Sequence, residues 1–94
     1  MKKVAVVTLN FNTADDTIAL LHSLRHVKTD GFTFETIIVD NGSKEVFKIP
    51  EKLKSDSTIL IRSDINTGFS GGNNIGIQQQ LISSHWGVFV HNLL

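Results

Sequence analysis

The apolar positions of this chain fall into short β-branched runs separated by amphipathic stretches. Residues 4–9, Val-Ala-Val-Val-Thr-Leu, form an apolar run without polar alternation, as expected of a strand buried on both faces of a parallel sheet. After Asn10-Phe11-Asn12 the period changes. Ala14, Ile18, Leu21 and Leu24 recur at helical spacing, with Thr13 placed to cap the helix and Asp15 and Asp16 placed at the positive end of its dipole. Asp30-Gly31 breaks the chain, residues 34–39 give a second strand, and Asp40-Asn41-Gly42-Ser43 stops it in a polar turn. Pro50 disfavours a continuous helix over residues 44–54 and predicts two short turns or one broken helix there. Residues 58–62 read as a third strand, 64–68 as a loop, 69–83 as a helix with Ile75, Leu81 and Ile82 on its stripe, and 87–91 as a fourth strand.

This alternation predicts an α/β fold, a Rossmann-like three-layer half with about four parallel strands, helices on both faces and right-handed crossovers. At 94 residues one domain spanning 1–94 is expected, and 40% apolar residues with only seven glycines and one proline are enough to build a core. Nine Lys and Arg balance nine Asp and Glu, so the chain lacks the basic footprint of a nucleic-acid binder. The absence of cysteine excludes disulfides, zinc ribbons and a thiol nucleophile, leaving oxygen or imidazole ligands for any metal. The apolar run after Met1-Lys2-Lys3 is too short for a signal-peptide core or a membrane span, and a cytoplasmic location is expected, with membrane association left open.

In an open parallel sheet, ligands gather at the carboxyl ends of the strands, where this chain places its polar clusters: Asn10 to Asn12, Asp40 to Ser43, Asp64 to Gly68, and His91-Asn92. Any one cluster is an ordinary turn composition. Four at one edge favour a site. Asp40, at the end of a central strand, is suited either to accept a hydrogen bond from a base or ribose or to hold its own loop. An opening towards the cleft is expected for it. The segment Gly68-Phe-Ser-Gly-Gly-Asn-Asn-Ile-Gly76 lets a ligand phosphate or a neighbouring strand approach the backbone, with Gly76 serving helix–sheet packing. It matches neither the dinucleotide glycine fingerprint nor the phosphate loop of P-loop NTPases. His22 and His26 are one turn apart but lack a third ligand, and a solvent-facing pair is expected. His85 and His91 have no evident acid or nucleophile partner, so no triad is read. Phe11 and Trp86 are core or base-stacking candidates, with core packing expected. A receiver-like protein is disfavoured, because Asn10 and Asn12 stand where its acidic pair belongs.

On these residues the chain resembles the amino-terminal part of family 2 glycosyltransferases of the GT-A fold, in the rhamnosyltransferase-like branch. Val6-Val-Thr-Leu-Asn-Phe-Asn12, Ile37-Ile-Val-Asp-Asn-Gly-Ser43 and Asn66-Thr-Gly-Phe-Ser-Gly-Gly-Asn-Asn-Ile-Gly76 look like three of its signatures in order. The resemblance implies a nucleotide-diphosphate sugar, UDP- or dTDP-linked, as ligand, with Asn10, Phe11, Asn12, Asp40, Asn41, Gly72 and Asn73 at the nucleotide. It also implies a divalent cation, Mg2+ or Mn2+, held by an aspartate motif after the fourth strand. His91-Asn92-Leu93-Leu94 occupies that place. With no metal ligand, acceptor half or catalytic base to assign, the expectation is a truncated donor-binding domain, inactive alone. The alternative is a structural or interaction module with a vestigial site, self-associating through an exposed sheet edge.

Overall fold

The computed structural model describes residues 2–82 and 87–92, with side chains described from Lys3 to Gln78 except Phe69. The elements run β1 (Lys2–Asn10), α1 (Ala14–Leu24), β2 (Phe32–Asn41), a 3-10 turn (Glu51–Leu53), β3 (Thr58–Ser63), α2 (Gly68–Ile82) and β4 (Gly87–Asn92). All strand pairs are parallel, in the order β3-β2-β1-β4. The strands β1, β2 and β3 form the part of the sheet whose side chains are described, and β4 joins β1 through its backbone pairing. The architecture is α/β and compatible with a Rossmann-like half.

The side-chain alternation of a strand sorts the core into two layers. Val7, Ile37 and Ile59 share one row and Leu9, Val39 and Ile61 the next. With Ala5 they form the cluster on which Ile75 of α2 packs. On the opposite face, Ile38 packs with Leu21, Phe47 and Leu53, joined by Ile18, Ile49 and Leu60. The β-branched runs thus bury both faces of the sheet, and truncating Ile37 or Ile38 to alanine would cost about 2–5 kcal/mol. Gly76 brings α2 onto the sheet: a Cβ there would overlap Val7 Cγ1.

Some local expectations change. Residues 44–54 form no helix beyond the 3-10 turn. Pro50, at φ −55° and ψ 139°, stands in extended geometry before it, and the segment is pinned by burial of Phe47 and Leu53. Thr13 occupies the N-cap of α1, yet its side chain makes no capping hydrogen bond. Phe11 is 44% exposed and does not join the core. His22 is in the last turn of α1 and His26 beyond its end, both exposed. The expectations for Ser83, His85, Trp86 and the side chains of Leu81, Ile82 and His91 lie outside the described residues. Among the described residues no helix is long and apolar enough to cross a membrane.

The chain builds outwards from β1 through β2 to β3, and α2 then returns it to the other side of β1. That reversal puts the topological switch point between β1 and β4 and directs attention to the carboxyl ends of the strands.

Candidate functional site

The apolar rows end in a polar one. Asn10, Asp40 and Arg62 are aligned by strand register at the carboxyl ends of β1, β2 and β3. The Asn10 amide donates to Asp40 Oδ1 and to Ser43 Oγ, both at 3.1 Å, while its Oδ1 accepts from Thr17 Oγ1 at 2.6 Å. Thr13 Oγ1 stands 3.5 Å from the same oxygen, which is where the missing cap went. Asp40 Oδ2 accepts from the Phe47 N–H and from Arg62, each at 2.8 Å.

Asp40 is completely buried, which corrects the expectation of a side chain open to the cleft. The reason is local: its carboxylate is the acceptor around which the 40–47 loop closes. Burial on its own would raise the Asp40 pKa. The hydrogen bonds of Ser43, the Phe47 N–H, Asn10 and Arg62 outweigh that and hold the carboxyl below the ordinary carboxylate range. Arg62 also donates to the Ser43 carbonyl at 3.2 Å. Its Nε is 3.5 Å from Asp64, a carboxylate exposed enough for water to screen the pair.

Asn41, one residue on and therefore facing the opposite side of the sheet, performs the same service for the loop before α2. Its Nδ2 donates to Asn66 Oδ1 at 3.3 Å and to the Gly68 carbonyl at 3.1 Å. Its Oδ1 accepts from the Thr67 N–H at 3.0 Å and the Thr67 hydroxyl at 2.9 Å. Gly42, at φ 77°, lies against this loop so closely that a Cβ would come within 2.6 Å of the Ile65 carbonyl carbon and overlap Asn66 N. Gly72 completes the contact, since a Cβ on it would be 2.8 Å from Asn41 Nδ2 and 2.9 Å from Leu9 Cδ2.

The remaining expected site residues differ in kind. Asn12 is exposed with a left-handed φ of 56°, held by its N–H to Ser43 Oγ and by its Oδ1, which accepts from the Lys44 N–H, both at 2.9 Å. Phe11 is partly exposed beside it. Asn73 is buried in α2, and its Oδ1 has no hydrogen-bond partner. The Thr8 hydroxyl is likewise buried and unpartnered, inside the sheet rather than at its edge.

Sequence reasoning did not single out Arg62, Thr17, Thr67 or Asn66 individually. For Arg62 a signal existed: one cation closing an otherwise apolar strand, as Asp40 closes the strand before it.

A cleft of about 620 Å³ opens at the start of α1, lined by Asn10, Asn12, Thr13, Asp15, Asp16, Lys44 and Glu45. Three carboxylates against one lysine make it a poor receptor for an anion. Among the described residues no group of three or more His, Cys, Asp or Glu side chains is arranged to hold a metal ion. The place after β4 where the resemblance implies the divalent cation lies outside the described side chains.

An open parallel sheet with its polar residues collected at the carboxyl edge is compatible with a Rossmann-like half. The profile of glycosyl transferase family 2 matches residues 5–81, and the chain belongs to that family. No curated protein and no solved structure gives a match.

Proposed function

We propose that this chain holds the nucleotide of a sugar donor, UDP- or dTDP-linked, for a glycosyltransferase of the rhamnosyltransferase-like branch. The observation that carries the reading is the unpartnered Oδ1 of Asn73. A buried amide oxygen without a partner costs about 1–3 kcal/mol, and a ligand donor group would recover that cost. Two further features support it. Helix α2 has no acidic residue in its first turn, so its positive end remains available to a diphosphate, whereas α1 carries Asp15 and Asp16 there. Phe11 offers a partly exposed aromatic face to a pyrimidine base.

In this reading Phe11, Asn12 and Asn73 contact the nucleotide. Asn10, Asp40 and Asn41, whose polar atoms are engaged with the protein, brace the loops that carry those contacts, and Gly72 provides the close approach of α2. No residue is given a catalytic role. The domain contributes by binding and orienting the donor, and transfer to an acceptor is not assigned to the described residues.

Titration of the folded protein with UDP, dTDP and a UDP-sugar, followed by calorimetry and amide chemical shifts, tests the proposal. Binding with shifts concentrated at Phe11, Asn12 and Asn73 is the expected result. No heat and no shift change at millimolar ligand would overturn it.

Self-association is a separate proposal. It is favoured by β3, an outer strand of the described sheet whose Ile59, Leu60 and Ile61 are only partly buried. A mass by light scattering that rises with concentration supports this interaction role, and a constant monomer mass removes it.

A further inference from the structure

Among the described residues Arg62 is the one cation in the polar row of Asn10, Asp40 and Arg62, with 28% of its side chain exposed. Its guanidinium binds two things at once: Nη1 donates to Asp40 Oδ2 at 2.8 Å and Nη2 to the Ser43 carbonyl at 3.2 Å. Both lead to the bend after β1. Asp40 receives the amide of Asn10, the residue from which the bend departs. Ser43 receives the Asn12 N–H on its hydroxyl. Asn12 is in the left-handed region, which asparagine tolerates better than most residues with a Cβ, and the Ser43 and Lys44 hydrogen bonds hold it there.

We infer that Arg62 is a positioning residue for the donor site, fixing the Phe11-Asn12 bend through Asp40 and Ser43. The inference rests on the donor-binding reading for its function, but its geometry is independent of any ligand. The planar fork matters as much as the charge. A lysine at this position would bring one ammonium, sufficient to neutralise Asp40 and unable to reproduce the two diverging N–H bonds of the guanidinium.

The test compares Arg62→Lys and Arg62→Met with the unsubstituted protein by urea unfolding, amide hydrogen exchange and UDP titration. Arg62→Met is expected to lose stability, with Arg62→Lys recovering most of it. Both variants should lose protection at the Asn12 and Lys44 amides by tenfold or more beyond the change in global stability. Both should bind UDP at least tenfold more weakly after correction for the folded fraction. Should Arg62→Met fail to fold, Arg62→Lys carries the same comparison.

Restoration of exchange protection and affinity by lysine, together with stability, would reduce Arg62 to charge neutralisation and overturn the inference. Unchanged protection at Asn12 and Lys44 in both variants would do the same. Failure of the unsubstituted protein to bind UDP instead overturns the donor reading, while loss of protection at Asn12 and Lys44 in the variants would still establish Arg62 as the residue that holds the bend.

Discussion

Helices α1 and α2 both begin at the carboxyl edge of the sheet, and their beginnings are built in opposite ways. Beside α1, the dipole meets Asp15 and Asp16, and Asn10, Asp40 and Ser43 join with Arg62 in a hydrogen-bonded network, in which Arg62 Nε makes no hydrogen bond and stands 3.5 Å from Asp64. Beside α2, the first turn carries no acid and the buried Oδ1 of Asn73 is without a partner. A network whose carboxylate and amides are already engaged strengthens the fold, and its one unbonded N–H faces the Asp64 carboxylate, so it has little left to offer an anionic ligand. An unsatisfied group weakens the fold and gains from being occupied. The comparison therefore separates residues that brace from those proposed to bind, although, Arg62 apart, both kinds occur in the same three sequence motifs.

The two regions are locked together at Gly42, where the largest effect is expected. Alanine there combines an unfavourable left-handed backbone with overlap against the Asn66 and Ile65 backbone, and should cost about 3 kcal/mol or more. Gly31 has a similar φ of 81° but open space around it. Gly31→Ala should cost only about 1 kcal/mol. Equal shifts of the urea midpoint for the two substitutions would show that the loops after β2 and β3 do not interlock.

Within the brace, Asp40→Asn should destabilise by about 2–3 kcal/mol, since it removes the anion facing Arg62 and leaves an amide among donors. Nucleotide affinity should fall as in the Arg62 variants, because the Phe11-Asn12 bend loses the same support, and it should fall only together with stability. The pH dependence has a defined sign. A carboxyl with a lowered folded-state pKa contributes stability above its unfolded value of about 3.9, and that contribution is lost as pH falls through the lower folded value. The Asn variant should lack this portion of the acid slope. A loss of UDP affinity without a loss of stability would move Asp40 from the brace into the binding site.

The layers of this fold could be read directly because they depend on local pattern: uninterrupted β-branched runs mark β1, β2 and β3, and the spacing of Ile18 and Leu21 marks the buried face of α1. The division of the site could not. Asp40 and Asn41 are adjacent and similar in size, and only the alternation of the strand sends one to the α1 loop and the other to the α2 loop. Arg62 gains its meaning from standing beside Asp40 in the strand register, a relation across 22 residues that spacing alone does not supply. The missed exposure of Phe11 and the non-helical course of residues 44–50 have a common cause. Loop side chains are placed by hydrogen bonds from distant elements rather than by hydrophobic period.

On the binding side, Phe11→Ala should change stability by no more than about 0.5 kcal/mol, because much of the ring is already in water. It should weaken UDP binding by about 1–2 kcal/mol if the ring stacks on the base. Calorimetric titration beside urea unfolding distinguishes this from a packing role, in which stability would fall and affinity would follow only the folded fraction.

The smallest effect is also the sharpest, because its two readouts should move in opposite directions. Asn73→Ala removes a buried oxygen that has no partner and replaces asparagine by a better helix former in α2, so stability should rise by about 1 kcal/mol. The same substitution deletes the group proposed to meet the nucleotide, and UDP affinity should fall by about 1 kcal/mol, or roughly fivefold. A residue of the brace cannot behave this way, since removing any of its amides breaks bonds already made. Were Asn73→Ala to destabilise the protein and leave UDP affinity unchanged, Asn73 would belong with Asn10 and Asn41, and the beginning of α2 would lose the feature that sets it apart from that of α1.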